Sequence, residues 1–228
     1  MHVPDGFLDA QTSVATAVVA GGVVVASIAR ARRELDDRAA PLAGLVAVFV
    51  FSAQMLNFPV GAGTSGHLIG ATLAAVLVGP ATATLCLTVV LAVQALLFAD
   101  GGVSAIGTNV LLMGVVAVWV GWGVFRIVLR LLPRRLSSVS VAAGVGAFVS
   151  VPAAALAFVG LYALGGTAPI PLDTLATAML SWHLLIGLGE AVITVLAVSS
   201  ILAARPDLVH GARGRLPALR LRTPEVVA

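Results

Sequence analysis

The chain opens Met1-His2-Val3-Pro4-Asp5-Gly6, and a histidine in second position can chelate a metal with the chain's own first nitrogens. The α-amine of Met1, the backbone amide nitrogen of His2 and its imidazole Nδ1 converge. Amine and amide close a five-membered ring with a metal, amide and Nδ1 a six-membered one, and all three donors fall in one plane. A fourth nitrogen completes a square, the geometry that selects Ni(II) or Cu(II) over metals preferring tetrahedral or octahedral oxygen shells. The natural candidate is His67, in Gly61-Ala62-Gly63-Thr64-Ser65-Gly66-His67-Leu68, expected at the mouth of a helix beside a glycine-rich loop. A lone interface histidine hydrogen-bonded to a carbonyl is the alternative reading of the same residue.

The elements that must position these nitrogens are membrane helices. Hydrophobic residues make up 60% of the chain and charged residues 10%, and a mean hydropathy of +1.09 lies far above that of a soluble domain. All thirteen basic residues are arginine, and they flank apolar segments. The high isoelectric point thus implies a membrane boundary and no nucleic-acid surface. The single cysteine, Cys86, lies inside an apolar run, which excludes an internal disulfide and disfavours a thiolate metal site. No basic leader precedes an apolar core, so Met1 is expected to remain the first residue.

Apolar runs between turn residues predict an all-α integral membrane bundle of about seven helices: Thr12 to Ala29, Pro41 to Leu56, Gly66 to Val78, Ala81 to Phe98, Ala105 to Leu131, Val141 to Leu164 and Thr174 to Ala203. Residues 1–204 form the membrane domain, and 205–228 an arginine-rich cytoplasmic tail expected to be poorly ordered. Arginines cluster after the first, fifth and seventh spans. Placing all three clusters in the cytoplasm requires an even number of spans between them, which seven satisfies. The N-terminus is then outside and the C-terminus inside. His2, the stretch Asn57 to Ser65, the loop Asp100 to Ser104 and the loop Gly165 to Asp173 all face outward, with no basic residue among them.

His183 and Glu190 are seven residues apart on one predicted helix and share a face. A carboxylate and an imidazole at membrane depth are costly unless paired, so they are functional candidates, favoured as support around the ligands or as a buried structural pair over direct ligation. Asn57, Gln94, Asp100 and Asn109 are further candidates, either for lining the cavity or for satisfying backbone broken at a loop, and Ser65 is a further candidate for supporting the site. A chain without lysine cannot hold a Walker A loop, so any ATP-driven step belongs to another subunit.

Met1-His2-Val3-Pro4-Asp5-Gly6-Phe7-Leu8, Gly63-Thr64-Ser65-Gly66-His67-Leu68-Ile69-Gly70, Asp100-Gly101-Gly102 with Gly107-Thr108-Asn109, and His183 through Glu190 together resemble the substrate-capture components of energy-coupling-factor transporters for nickel and cobalt, the NikM/CbiM family. The resemblance spans nearly the whole chain except the arginine-rich tail. It implies a multi-pass protein of the cell membrane and metal ligands Met1, His2 and His67. It also implies a transmembrane coupling subunit, a pair of cytoplasmic ATPases and often a small accessory membrane subunit as partners. The chain itself would not be an enzyme, and the metal would be its transported substrate. Pro4-Asp5 resembles the nickel members, with Co(II) as the alternative. A competing class is a rhomboid-like intramembrane serine protease, with Ser65 in a GxSG pattern and His183 as base. That reading leaves His2 unexplained.

Overall fold

The computed structural model describes residues 1–34, 39–61 and 64–215. Arg38, Ala62, Gly63 and the tail residues 216–228, Arg220 and Arg222 among them, lie outside the described residues. Helices α1 (Ala10–Glu34), α2 (Ala39–Gln54), α4 (Pro80–Leu97), α7 (Ser137–Gly165) and α8 (Leu172–Ala204) form most of the bundle. They are joined by a composite helix made of α5 (Ile106–Asn109), a π-helical stretch Val110–Ala117 and α6 (Val118–Leu131). Five of these helical runs are long and apolar enough to cross a membrane, and α2 is shorter but equally apolar. Large apolar side chains on their outer faces, Val18 and Leu196 among them, are exposed as lipid contacts require. The most extensive pair is α7 with α8. Gly144 and Gly187 sit where the partner helix comes close, so small residues set the separation.

The third expected span is not a full span. Only Ala71–Val78, α3, is helical, about 12 Å at 1.5 Å per residue. The residues before it run differently: β1 (Phe58–Gly61) and β2 (Thr64–Gly66) pair as an antiparallel hairpin with Pro59 opposite Ser65, and residues 67–70 are irregular. The bundle is therefore helical with one small two-stranded element, which a purely α-helical reading omitted. Glu190 from α8 is the physical reason. Its carboxylate accepts the Ile69 and Gly70 backbone N–H groups at 2.8 and 3.0 Å, and Gln54 donates to the Ile69 carbonyl at 2.8 Å. Side chains thus satisfy backbone groups that a longer helix would have paired internally. The carboxylate also lies at the positive end of α3.

At the far end of α1, Glu34 plays a matching part. It accepts from Ala81 and Thr82 backbone N–H groups at 3.2 and 2.8 Å and from the Thr82 hydroxyl at 3.0 Å, joining α1 to the start of α4. The segment after α8 also departs from expectation. Pro206–Leu208 and His210–Arg215 form 3-10 turns, and Val209 and Ala212 are fully buried. Packed structure therefore continues past residue 204, because these apolar side chains close the end of the bundle.

Replacing Glu190 with alanine strands two buried N–H donors, at about 1–3 kcal/mol for each buried group left unsatisfied. Thermal unfolding of the metal-free protein in detergent should show a clearly lowered midpoint for Glu190→Ala, and a smaller drop for Glu190→Gln, which keeps one acceptor. Equal midpoints for wild type and Glu190→Ala would show that the carboxylate is dispensable to the fold.

Candidate metal-binding site

The first nine residues form a hook. Met1, His2 and Val3 are buried, Pro4 to Gly6 turn at the surface, and Phe7 and Leu8 are buried again. Asp9 then starts α1, its carboxylate accepting the Thr12 N–H at 2.7 Å as an N-cap. The hook has little secondary structure of its own, so neighbouring loops satisfy its backbone. The Asn109 side chain takes the Val3 N–H at 2.8 Å and donates to the Val3 carbonyl at 3.2 Å. Gly102 N–H donates to the same carbonyl at 2.9 Å, while Thr167 N–H donates to the Phe7 carbonyl at 3.1 Å. Asp5 accepts from the Ser104 N–H and hydroxyl at 2.8 and 2.5 Å, which hold its carboxyl below the usual range. Gly102 has no room for a side chain, since a Cβ there would lie 2.4 Å from the Asp5 nitrogen.

This packing delivers His2 to His67. Their rings stack with centroids 4.4 Å apart and planes inclined by 25°. His67 is fully buried. Its Nδ1 lies 2.8 Å from the Leu68 carbonyl, which can only accept, so the proton sits on Nδ1 and the lone pair on Nε2. That Nε2 has no hydrogen-bond partner. His2 Nδ1 is 3.0 Å from an Asp100 oxygen without the alignment of a hydrogen bond, and His2 Nε2 is 3.2 Å from Gln94 Oε1. Asn57 donates to the other Asp100 oxygen at 2.8 Å, completing a chain Asn57–Asp100–His2–Gln94.

Burial pushes the Met1 amine down to about 4, against a smaller upward pull from Asp100. Burial also lowers His2 below the usual imidazole range, opposed by its contact with Asp100. For Asp100, burial pulls upward, but the contacts with His2 and Asn57 outweigh it and the carboxyl stays below its ordinary value. At neutral pH the site thus holds an uncharged amine, an uncharged His2 whose single N–H serves only one of Asp100 and Gln94, and one carboxylate.

Of the residues singled out in the sequence, Met1, His2, His67, Asp100, Asn57 and Gln94 come together, and Asn109 holds the hook. Glu190 grips the backbone two and three residues beyond His67. His183 is fully buried on α8, with Nδ1 donating to the Met179 carbonyl at 2.6 Å and Nε2 without a hydrogen-bond partner. Ser65 lies in β2. Because His183 Nε2 is unpartnered and Nδ1 is committed to Met179, Ser65 and His183 do not form the nucleophile–base pair of a serine protease. Gln54 and Asp5 are structural contributors that the residue-level reading missed. Gln54 carried a detectable signal, as a lone amide in an apolar run.

Among the described residues, no three His, Cys, Asp or Glu side chains cluster as a metal site. The candidate donors are instead two imidazoles together with the first two backbone nitrogens of the chain.

Residues 2–208 match the family described as cobalt uptake substrate-specific transmembrane region, CbiM. A cobalt transport protein CbiM of Sorangium cellulosum is 35% identical over 198 residues, covering 84% of each chain. The fused nickel transport protein NikMN of Rhodobacter capsulatus is 34% identical over 230 residues, covering 96% of this chain and 66% of that one. A crystal structure of a truncated transition metal transporter superposes with a TM-score of 0.82 at 35% identity, covering 89% of this chain and 99% of that one. The chain belongs to the CbiM family of nickel and cobalt transport proteins, and is a multi-pass component of the cell membrane rather than an enzyme.

Proposed function

We propose that this chain is the substrate-binding subunit of an ATP-driven importer, and that it captures Ni(II) from the outside in a planar four-nitrogen site. The ligands are the Met1 amine, the His2 backbone nitrogen, His2 Nδ1 and His67 Nε2. The observation that carries this reading is the buried Nε2 of His67: its lone pair is unpartnered and its ring lies against His2. A buried polar atom left without a partner is costly unless a ligand takes it. The adjoining amine is held uncharged, which is the form that ligates. Chelation requires His2 Nδ1 to exchange Asp100 for the metal, after which Asp100 offsets part of the cation's charge.

The orientation is N-terminus outside and C-terminus inside. It is supported by the separation of charge along the bundle: Asp5, Asp9 and Asp100 lie at the site end, and the described arginines end α1, end or follow α6, or follow α8 at the other. Without a lysine, the chain has no Walker A loop, so ATP hydrolysis falls to a pair of cytoplasmic ATPases acting through a transmembrane coupling subunit. A small accessory membrane subunit completes the assembly. Co(II) is the second reading, favoured by the cobalt transport proteins among the relatives.

If the amine is a ligand, even a few residues added before Met1 should abolish Ni(II) binding while leaving thermal unfolding of the metal-free protein intact. Titration calorimetry measures the binding and scanning calorimetry the unfolding, and full affinity in an extended chain would sink the proposed ligand set. Asp100→Asn, which removes the charge that offsets the cation, should weaken binding by roughly 10–100-fold, the usual effect of losing a group that supports the ligands.

The pH dependence follows from the protonation states. With the amine and imidazoles already neutral at pH 7–8, the His2 amide is the group that must lose a proton. Affinity should then fall about tenfold per pH unit as pH decreases, with about one proton released per metal. Stability of the metal-free fold moves the same way: the unfolded amine, with an ordinary value of 8.0, gains a proton that the folded amine refuses down to about 4. A binding constant constant from pH 6 to 8, read by titration in buffers of differing ionisation enthalpy, would exclude amide ligation.

A further inference from the structure

At the end of the bundle opposite the stacked histidines, Arg126, Arg130, Arg134, Arg213 and Arg215 line one cavity of about 470 Å³. Arginines at a cytoplasmic boundary satisfy the charge rule for membrane topology wherever they point. Here five converge on a single concavity, and no carboxylate is among the residues lining it. Five arginines lining one space concentrate positive charge there, which favours an anion.

The concavity is built by the fold. The chain after α8 turns back over α3 and α6, burying Val209 and Ala212 completely. Gly211 lies where a Cβ would come within 2.7 Å of the Phe125 ring, so the backbone itself forms the wall. Arg215 donates to the carbonyls of Leu129, Leu132 and Pro133 at the end of α6, Arg126 stands over the Trp122 ring at 5.7 Å, and Arg213 reaches the Glu34 carbonyl at 3.4 Å. These contacts hold three of the five arginines in place. Arg130 and Arg134 stand exposed at the rim.

The neighbouring surface says what kind of anion fits. Ile127 and Leu131 are four residues apart on α6, share a face, and are 57% and 80% exposed. An apolar strip thus leads along the helix beside a positively charged cup. Guanidinium forks match phosphate oxygens in pairs, and basic pockets on the cytoplasmic side of membrane bundles suit anionic head groups.

We propose that this cavity binds the phosphate of an anionic phospholipid of the inner leaflet, whose acyl chains run along Ile127 and Leu131. A zwitterionic lipid fits less well, because its own ammonium or choline group would face the same arginines. The site rests on the proposed orientation but is independent of the metal ligands, so the two readings fail separately.

Native mass spectrometry of the full-length chain tests this with phosphatidylglycerol, phosphatidylcholine and inorganic phosphate as probes. Phosphatidylglycerol should be retained about tenfold more strongly than phosphatidylcholine. The double variant Arg130→Gln with Arg134→Gln should lose about thirtyfold in that retention, the factor expected for two basic side chains at an anionic surface. Its unchanged Ni(II) titration would certify folding. Equal retention of the two lipids, or an unaffected double variant, overturns the proposal. Full displacement of the lipid by millimolar inorganic phosphate would reassign the cavity to a free anion and overturn it as well. Loss of assembly with partner subunits, without loss of lipid retention, would assign the arginines to a protein contact instead.

Discussion

Two hydrogen bonds between the Asn109 side-chain amide and the backbone of Val3 hold the start of the chain inside the helical bundle. The site end is arranged around that insertion. An N-terminus is ordinarily charged and solvated, and burying a charged ammonium costs far more than a few hydrogen bonds return. The fold resolves this by keeping the amine neutral, with its value pushed down to about 4 by burial. The loops that close over it carry hydroxyls, amides and carboxylates, and among the described residues no arginine stands at this end. What results is a chain terminus buried in its uncharged form beside two imidazoles.

His67 reaches the same place because its approach is not helical. Glu190 accepts the two N–H groups at the threshold of α3, which allows the preceding residues to stay irregular at a depth where unsatisfied backbone is prohibitive. That irregularity frees the Leu68 carbonyl to fix the proton on His67 Nδ1, leaving Nε2 as a lone-pair donor. A carboxylate on one helix therefore sets the tautomer of an imidazole indirectly, through the backbone between them. The π-helical stretch starting at Val110 lies directly after Asn109, and such wide turns recur where helices carry functional side chains.

The two ends of the bundle are electrostatic opposites. Asp100 lies against the stacked histidines with Asp5 and Asp9 at the same end, and arginines gather where α6 and α8 end. Between them α7 and α8 approach closely at Gly144 and Gly187. Small residues at these positions let the two longest helices pack along much of their length.

Much of this was legible in the residues. Alternating apolar runs and arginine clusters located the long helices and separated the ends, since a bilayer demands uninterrupted apolar stretches and biases basic residues to one side. Met1-His2 marked a candidate set of chelating nitrogens because the ring sizes follow from covalent geometry alone. Other features were not written locally. The Gly66 to Val78 run was apolar enough to read as a span, yet only α3 is helical, because the decision lay with Glu190, more than a hundred residues away. Gln54 and Asp5 act through contacts with segments distant in the chain, and the packed turns after residue 204 depend on Phe125. Covalent proximity and hydropathy thus determined which nitrogens could chelate and which segments enter the membrane. Only the tertiary structure decided that His2 and His67 meet, because that meeting depends on hydrogen bonds between side chains and backbone groups that no local pattern encodes.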